Sequence, residues 1–165
     1  MTNFQQSILP DYIHPIRYIL EFSPNLEDFT FSGNETIELN ISQSFSEITL
    51  HSSEIEIIDV DLSGKTPSIE SDVESETVTF HFDSEISPGN YSLNINFSGT
   101  LNDRLRGFYR SRYLDSNGLE KFMATTQFEA TDARKAFPCW DEPESKSIFS
   151  VSINLPKELT AISNM

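Results

Sequence analysis

Apolar residues in this chain recur with a period of two, in runs too short and too often broken by proline, glycine and asparagine to build a helix. Within 31–41, Phe31, Gly33, Ile37, Leu39 and Ile41 fall on odd positions while Ser32, Glu38 and Asn40 fall on even ones, which predicts a long strand with one wet face. Gly33 marks a bulge or a close backbone approach. Tyr18, Leu20 and Phe22 alternate with Arg17, Ile19 and Glu21 in the same way. Pro10 and Pro15 keep the lead-in before them extended or turning, and Pro24 and Asn25 predict the strand's end. Residues 48–51 read as a short strand, and 55–62 as another whose apolar parity switches at Ile57 and Ile58, the mark of a bulge.

Residues 63–67 are a turn cluster, and the acidic stretch 70–76 reads as an exposed link. Val78, Phe80 and Phe82 alternate with Thr77, Thr79 and His81, and Ser87-Pro88-Gly89-Asn90 turns the chain into Tyr91, Leu93, Ile95 and Phe97, which predicts a hairpin. A second hairpin joins 107–110 to 122–129 around Asn117-Gly118. Phe149, Val151, Ile153 and Leu155 predict a last strand, stopped by Pro156. With no long helical pattern and no internal repeat, the expected fold is all-β, a β-sandwich or curved mixed sheet.

A chain of 165 residues buries about two-thirds of its unfolded surface, so 1–165 is expected to be one domain. Its 13 Phe and 5 Tyr suffice for a core. The net charge of −15 argues against nucleic acid or an anionic membrane as partner and favours cationic ligands. The one cysteine, Cys139, excludes an internal disulfide and reads as a small buried residue in a reducing compartment. The first residues lack the basic start and apolar run of a secretory leader, and no stretch approaches the ~20 apolar residues of a membrane span. These features point to a cytoplasmic protein.

The most informative run is 122–143, FMATTQFEATDARKAFPCWDEP. On an extended strand Met123, Thr125, Gln127 and Glu129 share one face and Ala124, Thr126 and Phe128 the other. Gln127 and Glu129 then stand roughly 6.5 Å apart, close enough to converge on one small cation. A peptide α-amino group, with a pKa of about 7.7–8, is such a cation at neutral pH. The competing interpretation is that Glu129 solvates a strand end and Gln127 pairs with backbone. After Glu129, Thr131 is placed to cap a short helical turn. Asp132, Arg134, Asp141 and Glu142 offer complementary charges that read as a clasp fixing the loop, with Phe137 and Trp140 plugging the core beneath it.

This run, with the downstream AISNM of 161–165, resembles the N-terminal domain of the zinc aminopeptidases related to aminopeptidase N and leukotriene hydrolase. The shared pattern is TQFE-x-TDAR-x-AFPC-(aromatic)-DEP, then a strand and an (A/S)-x-SNM end. The spacing of Leu9-Pro10, Pro15 and Tyr18-Ile19-Leu20, and the Gly107-Phe108-Tyr109-Arg110 strand, are similar too. The resemblance implies a saddle-like β structure, truncated before its last strands. It assigns Gln127 and Glu129 to the grip on the substrate's free amino terminus.

The resemblance further implies Zn2+ in the full-length enzyme, held by an H-E-x-x-H motif in a catalytic domain that would be the main partner of this one. Neither that motif nor the family's G-A-M-E-N loop occurs here. His14, His51 and His81 lie in the lead-in and two strands without ligand spacing, so surface or packing roles are expected, with no catalytic residue and no bound metal in this chain. A rival reading is a non-catalytic scaffold or interaction module built on the same domain. A carbohydrate-binding sandwich has little behind it, because Trp140 is the sole tryptophan and belongs to the motif. A relative acting on a lipid epoxide would use a similar framework. The expectation for the 165-residue piece alone is no peptidase activity; chelator-sensitive hydrolysis of an aminoacyl reporter by the purified piece is the observation that overturns it.

Overall fold

The computed structural model describes residues 9–163; residues 1–8, where no secretory leader was read, and Asn164 and Met165 of the AISNM end lie outside the described residues. The described residues form ten strands: β1 (Ile13–Asn25), β2 (Thr30–Ile41), β3 (Phe45–His51), β4 (Ile55–Leu62), β5 (Ser68–Asp72), β6 (Thr77–Ile86), β7 (Gly89–Thr100), β8 (Gly107–Leu114), β9 (Glu120–Gln127) and β10 (Ile148–Ile153). They form a five-stranded mixed sheet in the order β10-β1-β2-β7-β4, a three-stranded sheet β3-β6-β5 and a two-stranded ribbon β8-β9. Among the described residues the sole helical element is a single 3-10 turn, Ala133–Lys135.

The dry faces of the strands make the core: in β1 Tyr18, Leu20 and Phe22 are buried. In β2, Phe31, Ile37, Leu39 and Ile41 are buried, and from β7 the paired positions Leu93, Ile95 and Phe97 join them. The three-stranded sheet supplies Ile48, Leu50, Val78 and Phe80 to the same buried cluster. Gly33 is a close approach and not a bulge: a Cβ there would meet the Phe97 ring at 2.3 Å. The parity switch in β4 is a register shift between Ile57 and Asp59.

One expectation is corrected. β6 and β7 are not a hairpin: β6 pairs with β3 and β5, while β7 pairs with β2 and β4, so the turn at Ser87-Pro88 carries the chain from one sheet to the other. Alternation shows which face of a strand is dry; both strands have one, and packing those faces against each other buries more apolar surface than pairing them side by side. The acidic stretch 70–76 is exposed through Glu74, as expected, but its first residues belong to β5 and Glu76 at its end is partly covered. The expected last strand is present as β10, parallel to β1 at the sheet's edge, with Phe149 and Val151 half exposed.

Glu35 was invisible to the alternation because it breaks it. It occupies an odd position of β2, between Leu20 of β1 and Ile95 of β7, and is 0% exposed with neither carboxylate oxygen hydrogen-bonded to protein. Burial pushes its carboxyl well above the ordinary glutamate value. A raised folded-state value means that folding takes up a proton, so this group's contribution is most favourable below the unfolded pKa and is lost as pH rises toward the folded one. Glu35→Gln and Glu35→Leu are therefore expected to raise stability at neutral pH by about 1–3 kcal/mol. For Glu35→Gln the gain shrinks as pH falls toward 4; thermal melts across pH 4–8 check both the sign and the slope.

Candidate functional site

The motif loop leaves β9 at Gln127 and returns to the structure at Cys139. Cys139 forms an isolated bridge with the end of β3: His51 N–H donates to the Cys139 carbonyl at 2.9 Å and Cys139 N–H to the His51 carbonyl at 3.0 Å. Asp141 N–H then donates to His51 Nδ1 at 3.2 Å, which sets the neutral tautomer of this buried ring. Trp140 N–H donates to the Tyr18 hydroxyl at 3.2 Å. Phe137 is buried with its ring edge-on to Phe22, Tyr18, Phe128 and Phe149. Phe137 and Trp140 thus sit under the loop, as their apolar character demands. Burial, with the nearby Asp141 carboxylate adding to it, pushes the Cys139 thiol up, so the sulfur is a packing group and not a nucleophile.

Gln127 is the last residue of β9, opposite Gly107 in β8. Glu129 lies two residues past the strand, in a turn whose Glu129–Ala130 peptide bond is cis, so strand alternation does not set its direction as the sequence suggested. Both side chains are exposed, and among the described residues neither has a hydrogen bond or ion pair. The turn closes through Asp132 N–H donating to the Phe128 carbonyl at 2.9 Å. A shallow depression floored by Tyr18 and Phe149, stacked at 4.8 Å, opens beside Ala130, and neither Gln127 nor Glu129 lines it.

Of the four charges expected to form one clasp, two pair with each other and two have partners elsewhere. Arg134 pairs with Asp141 through Nε at 3.0 Å. Asp132, placed before the 3-10 turn, makes no side-chain cap and faces Arg106 at 4.0 Å; Thr131 is not the cap. Glu142 accepts from the Leu9 N–H at 2.9 Å. What the sequence reading missed is Glu76, which accepts from Arg134 Nη1 at 3.3 Å, Lys135 Nζ at 3.1 Å and Ser53 Oγ at 2.9 Å. Nothing in the acidic stretch distinguished Glu76 from its solvated neighbours.

The histidines are accounted for one by one. His14 is exposed, His51 is buried in the bridge, and His81 lies between Glu47 and Glu70 at 3.3 and 3.0 Å, bracing β3, β6 and β5. Among the described residues no group of three or more His, Cys, Asp or Glu is placed to hold a metal ion. The residues present do not fit a zinc centre. No helix among them is long and apolar enough to cross a membrane.

Comparison with known proteins adds a family. A model described as the Peptidase M1 N-terminal domain matches residues 14–165. The chain is 43% identical over 162 residues to Aminopeptidase 2 of Candida albicans, covering 97% of this chain and 17% of that protein. It is 39% identical to the puromycin-sensitive aminopeptidase of Caenorhabditis elegans over 95% of this chain, and 40% identical to the mitochondrial Aminopeptidase 2 of Saccharomyces cerevisiae over 97%. In both cases too the chain spans 17% of the relative's length.

The Arg134 pairing carries a stability cost when broken. Its side chain is 7% exposed, so Arg134→Leu leaves Asp141, at 11%, without its cation and removes one of the two that Glu76 holds. Such a loss is expected to destabilise by about 3–5 kcal/mol, more than Arg134→Lys, which keeps the charge but not the fork. Denaturant midpoints of the two variants check the order.

Proposed function

The chain belongs to the peptidase M1 N-terminal domain family, and from that premise we propose that it is the amino-terminal β domain of a longer zinc aminopeptidase, contributing recognition of the substrate's α-amino group. The observation that carries the proposal is an exposed carboxylate, Glu129, and an exposed amide, Gln127, both uncommitted, at the end of a ribbon whose next residues are pinned on three sides. A peptide ammonium offers hydrogen-bond donors and a positive charge, and these two groups offer acceptors and a negative one. An interior peptide bond offers no such charge, so the pair selects chain ends.

Zinc belongs to this reading as a group that the remainder of the longer protein holds; when bound, it activates water for peptide hydrolysis. This chain's part is to bind and orient the amino end, which converts binding energy into a fixed distance between the first peptide bond and the reacting centre. The lone buried thiol supports a reducing compartment such as the cytoplasm.

In the full-length protein Glu129→Ala is expected to lower kcat/KM for free-amine aminoacyl reporters tenfold to a hundredfold, the equivalent of one charge-assisted hydrogen bond of about 1.5–3 kcal/mol. Glu129→Gln, which keeps an acceptor and loses the charge, falls between the two. Unchanged kinetics in Glu129→Ala overturns the assignment.

A further inference from the structure

Resting on the reading of Glu129 and Gln127 as the amine site, we propose that Glu76, at the start of β6, is a positioning residue for that site, holding the turn after Glu129 and the strand end at Gln127 against the three-stranded sheet. Its carboxylate takes hydrogen bonds from two cations and a hydroxyl at once: Lys135 Nζ at 3.1 Å, Arg134 Nη1 at 3.3 Å and Ser53 Oγ at 2.9 Å. Its own backbone is tied down as well. Glu76 has a φ of 54°, its carbonyl accepts from Ser52 N–H at 2.8 Å, and Ser53 N–H donates to the Arg134 carbonyl at 2.9 Å.

Two routes lead from this carboxylate to the amine site. Along the chain, the 3-10 turn that carries Arg134 and Lys135 runs back through the Lys135 N–H to the Asp132 carbonyl at 3.2 Å, and from the Asp132 N–H to the Phe128 carbonyl at 2.9 Å, which brackets Glu129. Across the ribbon, Lys135 packs onto Gly107, the residue paired with Gln127. The packing is tight enough that a Cβ on Gly107, whose φ is 66°, would meet the Lys135 Cβ at 2.5 Å. One carboxylate therefore fixes a residue that is tied through backbone to the turn around Glu129 and packed against Gly107, the residue opposite Gln127. It also pairs the ammonium of Lys135, so that this cation does not compete with a substrate ammonium for the acidic turn.

Burial pushes the Glu76 carboxyl up, and the hydrogen bonds from Lys135 and Ser53 with the charges of Lys135 and Arg134 outweigh it, leaving the group below the usual glutamate value. The network is thus in its charged, paired form throughout the neutral range and is lost only as pH falls through that depressed value.

The test uses the full-length enzyme and two matched competitive inhibitors, an aminoacyl hydroxamate and the same compound without its α-amino group. Glu76→Ala is expected to weaken the amine-bearing compound by roughly tenfold or more while leaving the des-amino compound unchanged. KM for free-amine substrates should rise with kcat little altered, and Glu76→Ala should add nothing in a Glu129→Ala background. Glu76→Gln, which keeps acceptors for Ser53 and Lys135 but loses the charge, should show a smaller weakening confined to the amine-bearing compound, and that selective loss is the readout if Glu76→Ala does not fold. Equal weakening of both compounds, or of neither, overturns the role of Glu76. If Glu129→Ala is selective for the amine and the Glu76 variants are not, only Glu76 falls; if Glu129→Ala is itself unselective, the amine-site reading falls and Glu76 with it.

Discussion

The reciprocal backbone hydrogen bonds between His51 and Cys139 hold the molecule's chemistry in place. They attach the far end of the motif loop to the end of β3, and the Asp141 N–H on His51 Nδ1 extends the attachment by one more bond. From there the loop has little freedom. Trp140 is held by the Tyr18 hydroxyl, Phe137 is wedged among aromatic rings of β1 and β10, and Arg134 is clamped by Asp141 and Glu76. A loop attached at so many points transmits position, because packed interiors are close to crystalline density and do not yield gradually.

Three glutamates show how little a residue type means without its surroundings. Glu35, shut in the sheet interior without a partner, has its carboxyl pushed up by burial. Glu76, equally hard to recognise in the sequence, is partly covered but surrounded by donors, and stays ionised. Glu129 is exposed and unpaired. The chain's charge of −15 says nothing about which of its 26 acidic residues does which. Burial and donors decide, and both are tertiary facts.

That contrast also explains which parts of the structure were legible beforehand. Alternation in β2 and β7 identified the dry faces correctly, since Ile37, Leu39, Leu93 and Ile95 all lie in the core. It could not identify neighbours, and so the turn at Ser87-Pro88 looked like a hairpin when it is a corner between sheets. The motif's contiguous letters placed the loop, its aromatic support and the Arg134–Asp141 pair, because these contacts are local in sequence. The Glu76 contacts span the chain from β6 to the 3-10 turn, and no local pattern encodes them. The strand leading to Glu129 was read as longer than it is: strand geometry stops at Gln127, two residues earlier.

An exposed carboxylate gains little from meeting an ammonium in water, typically about 0–1 kcal/mol, far short of what selecting chain ends requires. Two things raise that gain. One is loss of the side-chain and loop freedom that binding otherwise has to remove, and the anchoring of the turn through Asp132, Lys135 and Gly107 removes loop freedom in advance. The other is exclusion of water, since the same ion pair strengthens severalfold as the effective dielectric falls. This domain supplies the first and, with Glu129 standing in the open, not the second. A second surface closing over the end of β9 would supply it. On this reading the division of labour is physical: the β domain contributes a rigid charge at a fixed address, and the dryness that makes the charge count comes from what packs against it.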